Sequence, residues 1–231
     1  MQNNDWLDTY VLHRRPYRET SYIVDFFSLQ SGRVSAVAKG VRNSKNDRKS
    51  VLQPFRLLRI QLSGRSELKN LRLADCVGPM LMLTGHALFC AMYLNELINR
   101  LLPVGVVSES VYRQYQQALS QLHQNTHIEQ TLREFEFALL DEMGMLADWF
   151  TDGVTGEPVA PDKWYLYSPE QGFVRCLQAN HKHRISGAAL MLLGNGQWSG
   201  LSLGAAKRIN RLALNYLLGD KPLKSRELFR Q

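Results

Sequence analysis

The spacing of hydrophobic positions changes once along the chain, just after Gly78-Pro79. Before this point, short runs rich in β-branched, aromatic and leucine residues alternate with turn-forming residues, a pattern typical of β-strands. Five short strands so close together predict a small closed barrel of the OB or SH3 kind, because closure removes exposed sheet edges. The irregular alternation of the fifth run predicts a β-bulge. The predicted strands are Trp6–His13, Ser21–Ser28, Arg33–Lys39, Phe55–Leu62 and Glu67–Ala74.

After Gly78-Pro79, apolar residues recur at steps of three and four, which indicates helices that bury one face. Ser108 and Ser202 are the expected N-caps of the second and the last of these helices. The predicted helices cover residues 83–101, 108–122, 128 to about 144, 185–193 and 203–218.

Residues 147–184 interrupt this helical pattern with glycines and prolines. Within them, the runs Trp164–Tyr167 and Phe173–Leu177 flank a turn and predict a β-hairpin. The sequence as a whole therefore predicts an α+β protein. Its barrel domain covers residues 1–79, and a helical domain with the loop-and-hairpin insert covers residues 80–231.

The composition is that of an ordinary globular protein, with 45% hydrophobic and 21% charged residues among 231. The longest apolar stretches are far shorter than the ~18–20 residues that a membrane span needs. The first ten residues carry two acids and no apolar run, so we expect no signal peptide. Cys76, Cys90 and Cys176 lie too far apart for a disulfide framework. These features favour a reducing, cytoplasmic location.

The positive charge is concentrated at the two ends of the chain. The protein has 28 Lys and Arg against 21 Asp and Glu, a net charge of +7. Residues 1–80 hold 14 basic and 7 acidic side chains, residues 81–200 hold 7 and 12, and residues 201–231 hold 7 and 2. Basic ends around an acidic middle predict a polyanion-binding surface and a different partner for the middle, although scattered surface charge is the alternative.

The third predicted strand and the connection after it bring basic side chains together, and the last helix with its tail adds a second group. Such side chains can neutralise nucleic-acid phosphates by releasing counterions. Tyr17, Tyr22, Phe26, Phe27 and Phe55 are available for base stacking, but barrel core is the more common place for such residues. The candidate nucleic-acid-binding residues are Arg33, Lys39, Arg42, Lys45, Arg48, Lys49, Arg65, Lys69, Arg72, Lys207, Arg208, Arg211, Lys221, Lys224 and Arg226.

No base-reading element is recognisable, so we expect binding without sequence specificity. The charge pattern does not separate DNA from RNA. An RNA-binding barrel protein that acts on rRNA or tRNA is therefore the alternative to a DNA-binding one.

The search for catalytic or metal-binding residues leaves two weak candidates. Gly200–Gly204 matches the GxSxG pattern of serine hydrolases, but no strand precedes Ser202 and no histidine follows it. His181, His183 and Cys176 could ligate a metal, whereas structural zinc needs four ligands in paired spacing. We therefore predict no catalytic residue, no cofactor and no metal. The alternative hypothesis is an enzyme that uses Ser202 as its nucleophile.

Residues 11–45, VLHRRPYRETSYIVDFFSLQSGRVSAVAKGVRNSK, resemble the N-terminal pattern of the bacterial recombination mediator family RecO. In that pattern, a Ser-Gly-Arg turn follows a strand that ends in phenylalanine, and Ala-Lys-Gly-x-Arg with further basic residues comes next. The resemblance continues in order over nearly the whole chain, especially toward gammaproteobacterial members. It includes the fragments LQPF (52–55), YLNEL (93–97), LREFEFALL (132–140) and GDKPLKSRELFRQ (219–231).

This resemblance implies an N-terminal OB-fold, a helical C-terminal domain and a role in DNA repair without catalysis. It implies binding of single- and double-stranded DNA, strand annealing, and association with the nucleoid during repair. The implied partners are RecR and the single-stranded-DNA-binding protein SSB, through which RecA is loaded.

Many members of the family carry a four-cysteine zinc site in the segment that corresponds to residues 147–180. This sequence has only Cys176 there, with Asp152 and Gly153 where thiols are expected. We therefore predict an insert without zinc.

The resemblance also places the docking of the SSB tail, which is acidic and ends in a phenylalanine carboxylate, on the helical domain at Arg133. Leu132, Phe135 and Leu139 are the expected walls of an adjacent apolar cleft. The alternative is an ordinary ion pair of Arg133 with Glu129 or Glu136 on the same helix.

Overall fold

A computed structural model describes residues 5–42, 48–178 and 180–230 of the chain. Contacts between residues divide the protein into two compact units. Unit 1 consists of Met1–Thr126 and Leu223–Gln231, and unit 2 consists of His127–Pro222. The chain therefore leaves unit 1 and later returns to it. The predicted boundary at residues 79 and 80 stays a prediction.

The N-terminal part of unit 1 is a closed barrel in which the strands follow the order β1-β2-β3-β5-β4. Strands β1 and β4 pair to close it, and β3 pairs with β5 in parallel. This arrangement confirms the predicted five-stranded OB-fold barrel. The strands are β1 (Leu7–Tyr17), β2 (Ser21–Ser28), β3 (Gly32–Ala38), β4 (Leu58–Ser63) and β5 (Lys69–Cys76).

Two bulges bend the barrel strands. The pairing of β1 with β2 skips Leu12, and the pairing of β4 with β5 skips Arg72, so each is an extra residue in its strand. The bulge in β5 confirms the prediction for the fifth run. Strand β1 extends past the predicted end at His13 and includes Pro16, which the sheet tolerates because Pro16 lies near the end of the β1–β2 ladder.

Among the described residues, three helices and a 3-10 helix complete unit 1. They are α1 (Arg48–Val51), α2 (Gly85–Leu101), α3 (Glu109–Gln124) and the 3-10 helix Lys224–Arg230. Buried Asn95 of α2 donates its side-chain amide to the carbonyl oxygen of Leu12 (3.0 Å), and the Tyr115 hydroxyl donates to its Oδ1 (2.5 Å). A buried side-chain amide thus ties the bulge of β1 to two helices.

The 3-10 helix is held by one carboxylate of α2. Glu96 accepts hydrogen bonds from the backbone N–H groups of Lys224 (2.9 Å) and Ser225 (2.8 Å) and from the Ser225 hydroxyl (2.7 Å). Burial alone would raise the pKa of Glu96, but these hydrogen bonds and nearby Arg100 outweigh it and lower the pKa. The returning segment is therefore fixed to the helix that follows the barrel.

The described part of unit 2 contains three helices and a small antiparallel sheet in the order β7-β6-β8. The β6–β7 hairpin confirms the predicted one, and the structure adds β8 as a third strand. None of the described helices is long and apolar enough to cross a membrane. The elements are α4 (Ile128–Glu142), β6 (Trp164–Ser168), β7 (Gly172–Arg175), β8 (Ile185–Ser186), α5 (Gly187–Gly194) and α6 (Gly200–Leu218).

Candidate nucleic-acid interface

Four strand ends meet at a cleft of about 420 Å³ on the barrel, formed by the β1–β2 turn, the end of β3 and the start of β5. The parallel pairing of β3 with β5 sets Ala36 opposite Lys69 and Val37 opposite Asn70. This register brings Lys69 to the cleft that Lys39 reaches from the end of β3. We call it the barrel cleft.

The β1–β2 turn supplies a cation that the sequence analysis missed. Arg18 has a φ of 52° in this turn, and its guanidinium carbon lies 5.2 Å from the centre of the Tyr17 ring. Arg42 folds back over the turn, because its backbone N–H donates to the carbonyl oxygen of Thr20 (2.9 Å) and its Nη1 donates to that of Arg18 (3.4 Å). Strand connectivity therefore brings Arg18, Lys39, Arg42 and Lys69 to one side of the barrel.

The barrel cleft is suited to an anionic strand. Arg18, Lys39 and Arg42 are exposed, and half-buried Lys69 donates its Nζ to the Gly64 carbonyl oxygen (3.3 Å). None of the described residues that line the cleft is acidic. Among the aromatic residues considered for base stacking, Phe26, Phe27 and Phe55 are buried, while Tyr17 and Tyr22 remain partly exposed.

Arg33 does not belong to this surface, although it was predicted to contact DNA. Its Nη1 donates to the carbonyl oxygens of Asn99 and of Leu102 (2.8 Å) at the C-terminal end of α2. Burial lowers the pKa of the guanidinium, and the carboxylate of Asp25 opposes that effect. The hydrogen bonds give Arg33 a structural role between β3 and α2, so we leave it out of the interface.

The other predicted residues near the barrel are spread out. Lys45 lies outside the described residues, and so do the side chains of Arg48 and Lys49. Arg65 is exposed and lines an adjoining cavity of about 870 Å³, which shares Lys69 with the barrel cleft and is also lined by Arg33 and by the acidic Asp5 and Glu67. Arg72 is exposed at the bulge of β5. The structure thus brings three of the predicted residues, Lys39, Arg42 and Lys69, together at the barrel cleft.

The second predicted basic group is divided between the two units. Lys224 and Arg226 belong to the 3-10 helix of unit 1, whereas the other four belong to unit 2. On α6, Lys207 forms an ion pair with Glu129 (3.5 Å). The residues in unit 2 are Lys207, Arg208, Arg211 and Lys221.

The predicted partner-binding arginine takes part in a buried polar network within unit 2. Arg133 Nη1 lies 2.6 Å from Glu136 Oε2, and the Asn210 amide donates to the same oxygen (2.8 Å). The side chain of Arg133 is 13% exposed and that of Glu136 is fully buried. Leu132, Phe135 and Leu139 are also buried. The ion pair with Glu136 foreseen as an alternative is therefore present, and the docking role stays a prediction.

Neither weak candidate for catalysis or metal binding gains support from the structure. Ser202 is fully buried in the first turn of α6, where its hydroxyl accepts a hydrogen bond from the backbone N–H of Ser199 (2.8 Å). Ser199, not Ser202, is the N-cap, and the two form a capping box. Among the described residues, no group of three or more His, Cys, Asp or Glu side chains could hold a metal ion.

Hydrogen bonds of Asp152 organise the segment in which the resemblance noted in the sequence implies a zinc site. The carboxylate is 3% exposed; Oδ1 accepts from the N–H groups of Val154 (2.9 Å) and Thr155 (3.0 Å), and Oδ2 accepts from that of Arg175 (2.8 Å). A side chain at Gly153 would place Cβ 1.6 Å from the Gln171 carbonyl oxygen. With its carboxylate engaged and Cys176 as the segment's one thiol, this insert does not fit a four-cysteine zinc site.

Asp152→Asn should lower the free energy of unfolding by about 1.5–3 kcal/mol, because the amide N–H₂ cannot accept the hydrogen bond from Arg175. Burial alone would raise the pKa of Asp152, but the backbone hydrogen bonds outweigh it and lower the pKa. Its contribution should therefore be complete above about pH 4 and be lost as the pH falls through the folded pKa. Urea unfolding curves of the wild type and of Asp152→Asn at several pH values test this dependence on pH.

The insert is also expected to hold no zinc. Elemental analysis that finds one zinc per chain after dialysis would contradict this interpretation.

Comparison with known proteins was made for the whole chain. Residues 1–80 match the model described as recombination protein O N terminal, and residues 82–227 match recombination protein O C terminal. The DNA repair protein RecO of Alteromonas mediterranea is 56% identical over 228 residues, which cover 98% of this chain and 97% of that relative.

Two further relatives carry the same name. The DNA repair protein RecO of Pseudoalteromonas atlantica is 48% identical over 225 residues, 97% of this chain and 94% of the relative. That of Vibrio cholerae is 44% identical over 222 residues, 96% of this chain and 92% of the relative. Both halves of the chain are therefore covered by the same family.

Proposed function

The chain belongs to the recombination protein O family of DNA repair proteins, and we propose that it is a non-enzymatic recombination mediator. In this role it binds single- and double-stranded DNA without sequence specificity and promotes annealing of complementary strands. With RecR and SSB it helps to load RecA.

The observation that carries this proposal is the barrel cleft. Arg18, Lys39, Arg42 and Lys69 surround it, and no described lining residue is acidic. Cations at such positions attract phosphates and release counterions regardless of base sequence. The partly exposed ring of Tyr17 adds a surface on which a base can stack.

Annealing follows from the same chemistry. Two complementary strands repel each other through their phosphates, and a protein that neutralises phosphates lowers this repulsion. The edges of the bases must stay free to pair during annealing. Annealing therefore requires that the protein contact the phosphate backbone and not the base edges. Phosphate contacts that leave the base edges free favour a recombination mediator over a sequence-specific DNA-binding protein.

We propose that Arg133 binds the carboxylate of the SSB tail. Its Nη1 is engaged by Glu136, but its Nε is buried and makes no hydrogen bond to another described residue. The 13% of the Arg133 side chain that remains exposed is where we expect a ligand carboxylate to meet the guanidinium, which binds carboxylates with paired geometry. The roles of RecR and RecA as partners are proposed from membership of the family.

An annealing assay tests the proposed function directly. The protein should accelerate the pairing of two complementary fluorescent DNA strands, also when SSB covers them, and the acceleration should decline with salt because phosphate contacts weaken. Titrations with DNA and RNA strands of the same sequence provide the control. No acceleration, or binding restricted to RNA, would contradict the proposal.

A further inference from the structure

A second basic surface lies within unit 2, where the loop before β8 meets α6. It forms a concavity of about 360 Å³ and has no acidic residue among its described lining residues. We call it the hairpin patch. Its lining residues are Trp164, Asn180, His181, Lys182, Arg184 and Arg208.

Contacts between side chains and backbone fix the hairpin patch. The guanidinium carbon of Arg184 lies 4.1 Å from the centre of the Trp164 ring, which is 40% exposed. Arg208 donates its Nη1 to the carbonyl oxygen of Arg184, which joins α6 to the loop. The rings of His181 and His183 lie 5.9 Å apart beside them.

The electrostatic environment of the hairpin patch is strongly positive. Burial and then the charges of Lys182, His181, Arg208 and Arg211 lower the pKa of His183. Two acids near these elements are paired with other cations: Asp162, two residues before Trp164, with Lys163 (2.9 Å), and Glu129 of α4 with Lys207 of α6 (3.5 Å).

The concentration of charge is not a general property of unit 2. This unit has nine Lys and Arg against eleven Asp and Glu, yet four of the nine lie in or beside the hairpin patch. Clustering of like charge on an otherwise acidic unit costs stability through repulsion, and an anionic ligand would relieve it.

We propose that the hairpin patch binds the phosphates of a nucleic-acid strand as a second contact site, separate from the barrel cleft. This inference rests on the proposed function and adds a site to it. Arginine beside an exposed indole favours a nucleic acid over an acidic peptide, because bases stack on indole rings and guanidinium planes while phosphates accept paired hydrogen bonds.

The test variant is Lys182→Ala/Arg211→Ala. Both side chains are exposed, and neither takes part in an ion pair among the described residues, so the fold should persist. The logarithm of the affinity for single-stranded DNA falls linearly with the logarithm of the salt concentration, and each phosphate contact contributes about 0.7 to this slope. The loss of one contact therefore lowers the affinity about 5-fold at 0.1 M salt. The double variant should therefore bind about 25-fold more weakly, with a slope lower by about 1.4.

The matched control is Lys163→Ala/Arg175→Ala, which removes two cations of the same unit that act on Asp162 instead. This control should show the wild-type slope of log affinity against log salt concentration. Fluorescence titrations of full-length protein with a labelled 30-nucleotide strand at four salt concentrations give both values.

The outcomes separate this inference from the proposed function. Wild-type protein that binds DNA, with a test variant of unchanged slope, would overturn the hairpin patch alone. Wild-type protein that binds no DNA would overturn both. A test variant that keeps DNA binding but loses an acidic peptide ending in phenylalanine would assign the patch to a protein partner and overturn the inference.

Discussion

Replacing Arg18, Lys39, Arg42 and Lys69 together by alanine should weaken single-stranded DNA binding about 600-fold at 0.1 M salt. Each phosphate contact contributes about 0.7 to the slope of log affinity against log salt, so four contacts contribute about 2.8. The difference in affinity between the variant and the wild type should shrink as the salt concentration rises, because the variant has lost contacts whose free energy comes from counterion release. Titrations at several salt concentrations measure both affinity and slope.

The control for this experiment removes Arg59 and Arg113, exposed arginines of the same unit that form ion pairs with Asp8 (3.1 Å) and Glu109 (2.8 Å). Their charges are balanced locally, so their replacement by alanine should leave the slope nearly unchanged. Unfolding curves must show that all variants remain folded. A folded quadruple variant with the wild-type slope would remove the barrel cleft from the interface.

The second large effect is expected at Arg133. Arg133→Ala should lower the free energy of unfolding by about 3–5 kcal/mol, because it leaves the buried carboxylate of Glu136 without its cation. Asn210 would still donate to that carboxylate, but an amide does not balance its charge. Urea unfolding of the variant measures the loss, and a variant as stable as the wild type would contradict the importance of this ion pair.

This instability would confuse a simple binding test of Arg133, so a second variant is needed. Arg133→Ala/Glu136→Gln removes both charges and should recover much of the stability, because no buried charge is left alone. If Arg133 holds the tail carboxylate, both variants should bind a fluorescent SSB-tail peptide about 10- to 150-fold more weakly. DNA affinity should stay nearly constant. Wild-type peptide affinity in the double variant would exclude Arg133 from the docking site.

Much of the fold could be predicted because its signals are local. In β3, Val34, Ala36 and Ala38 occupy every second position and all three belong to the barrel core, although Val37 between them is buried as well. The helix that begins after Ser108 and the hairpin around β6 and β7 have equally local signals in N-cap and turn residues. Such patterns need no knowledge of distant contacts.

The candidate site was harder to predict because distant segments build it. Arg33 is on the outward face of β3, where alternation predicts exposure, but the end of α2 covers that face and binds its guanidinium. Arg18 was missed because only the fold places the β1–β2 turn beside Lys39 and Lys69. Only the pairing of β3 with β5 brings Lys69 to the same cleft.

Helix α6 shows how a polar network can change a hydrophobic pattern. Along α6, Ala205, Ile209, Leu212 and Tyr216 recur at steps of three and four, a spacing that predicts a buried Tyr216, yet Tyr216 is 58% exposed. The helix instead buries Asn210, which binds Glu136 (2.8 Å). Hydropathy cannot foresee this, because buried polar groups are stable only with partners that tertiary structure supplies.

The hydrogen bonds of Glu96 with Lys224 and Ser225 also have a consequence for the order in which parts of unit 1 fold during protein synthesis. The barrel and α2 leave the ribosome early, but the segment that Glu96 binds follows only after all of unit 2 has been translated. At the usual elongation rate, unit 2 takes roughly 5–20 s to synthesise. During this interval the Glu96 carboxylate of α2 lacks the three hydrogen bonds from Lys224 and Ser225, so the addition of the 3-10 helix to unit 1 is a late step of folding.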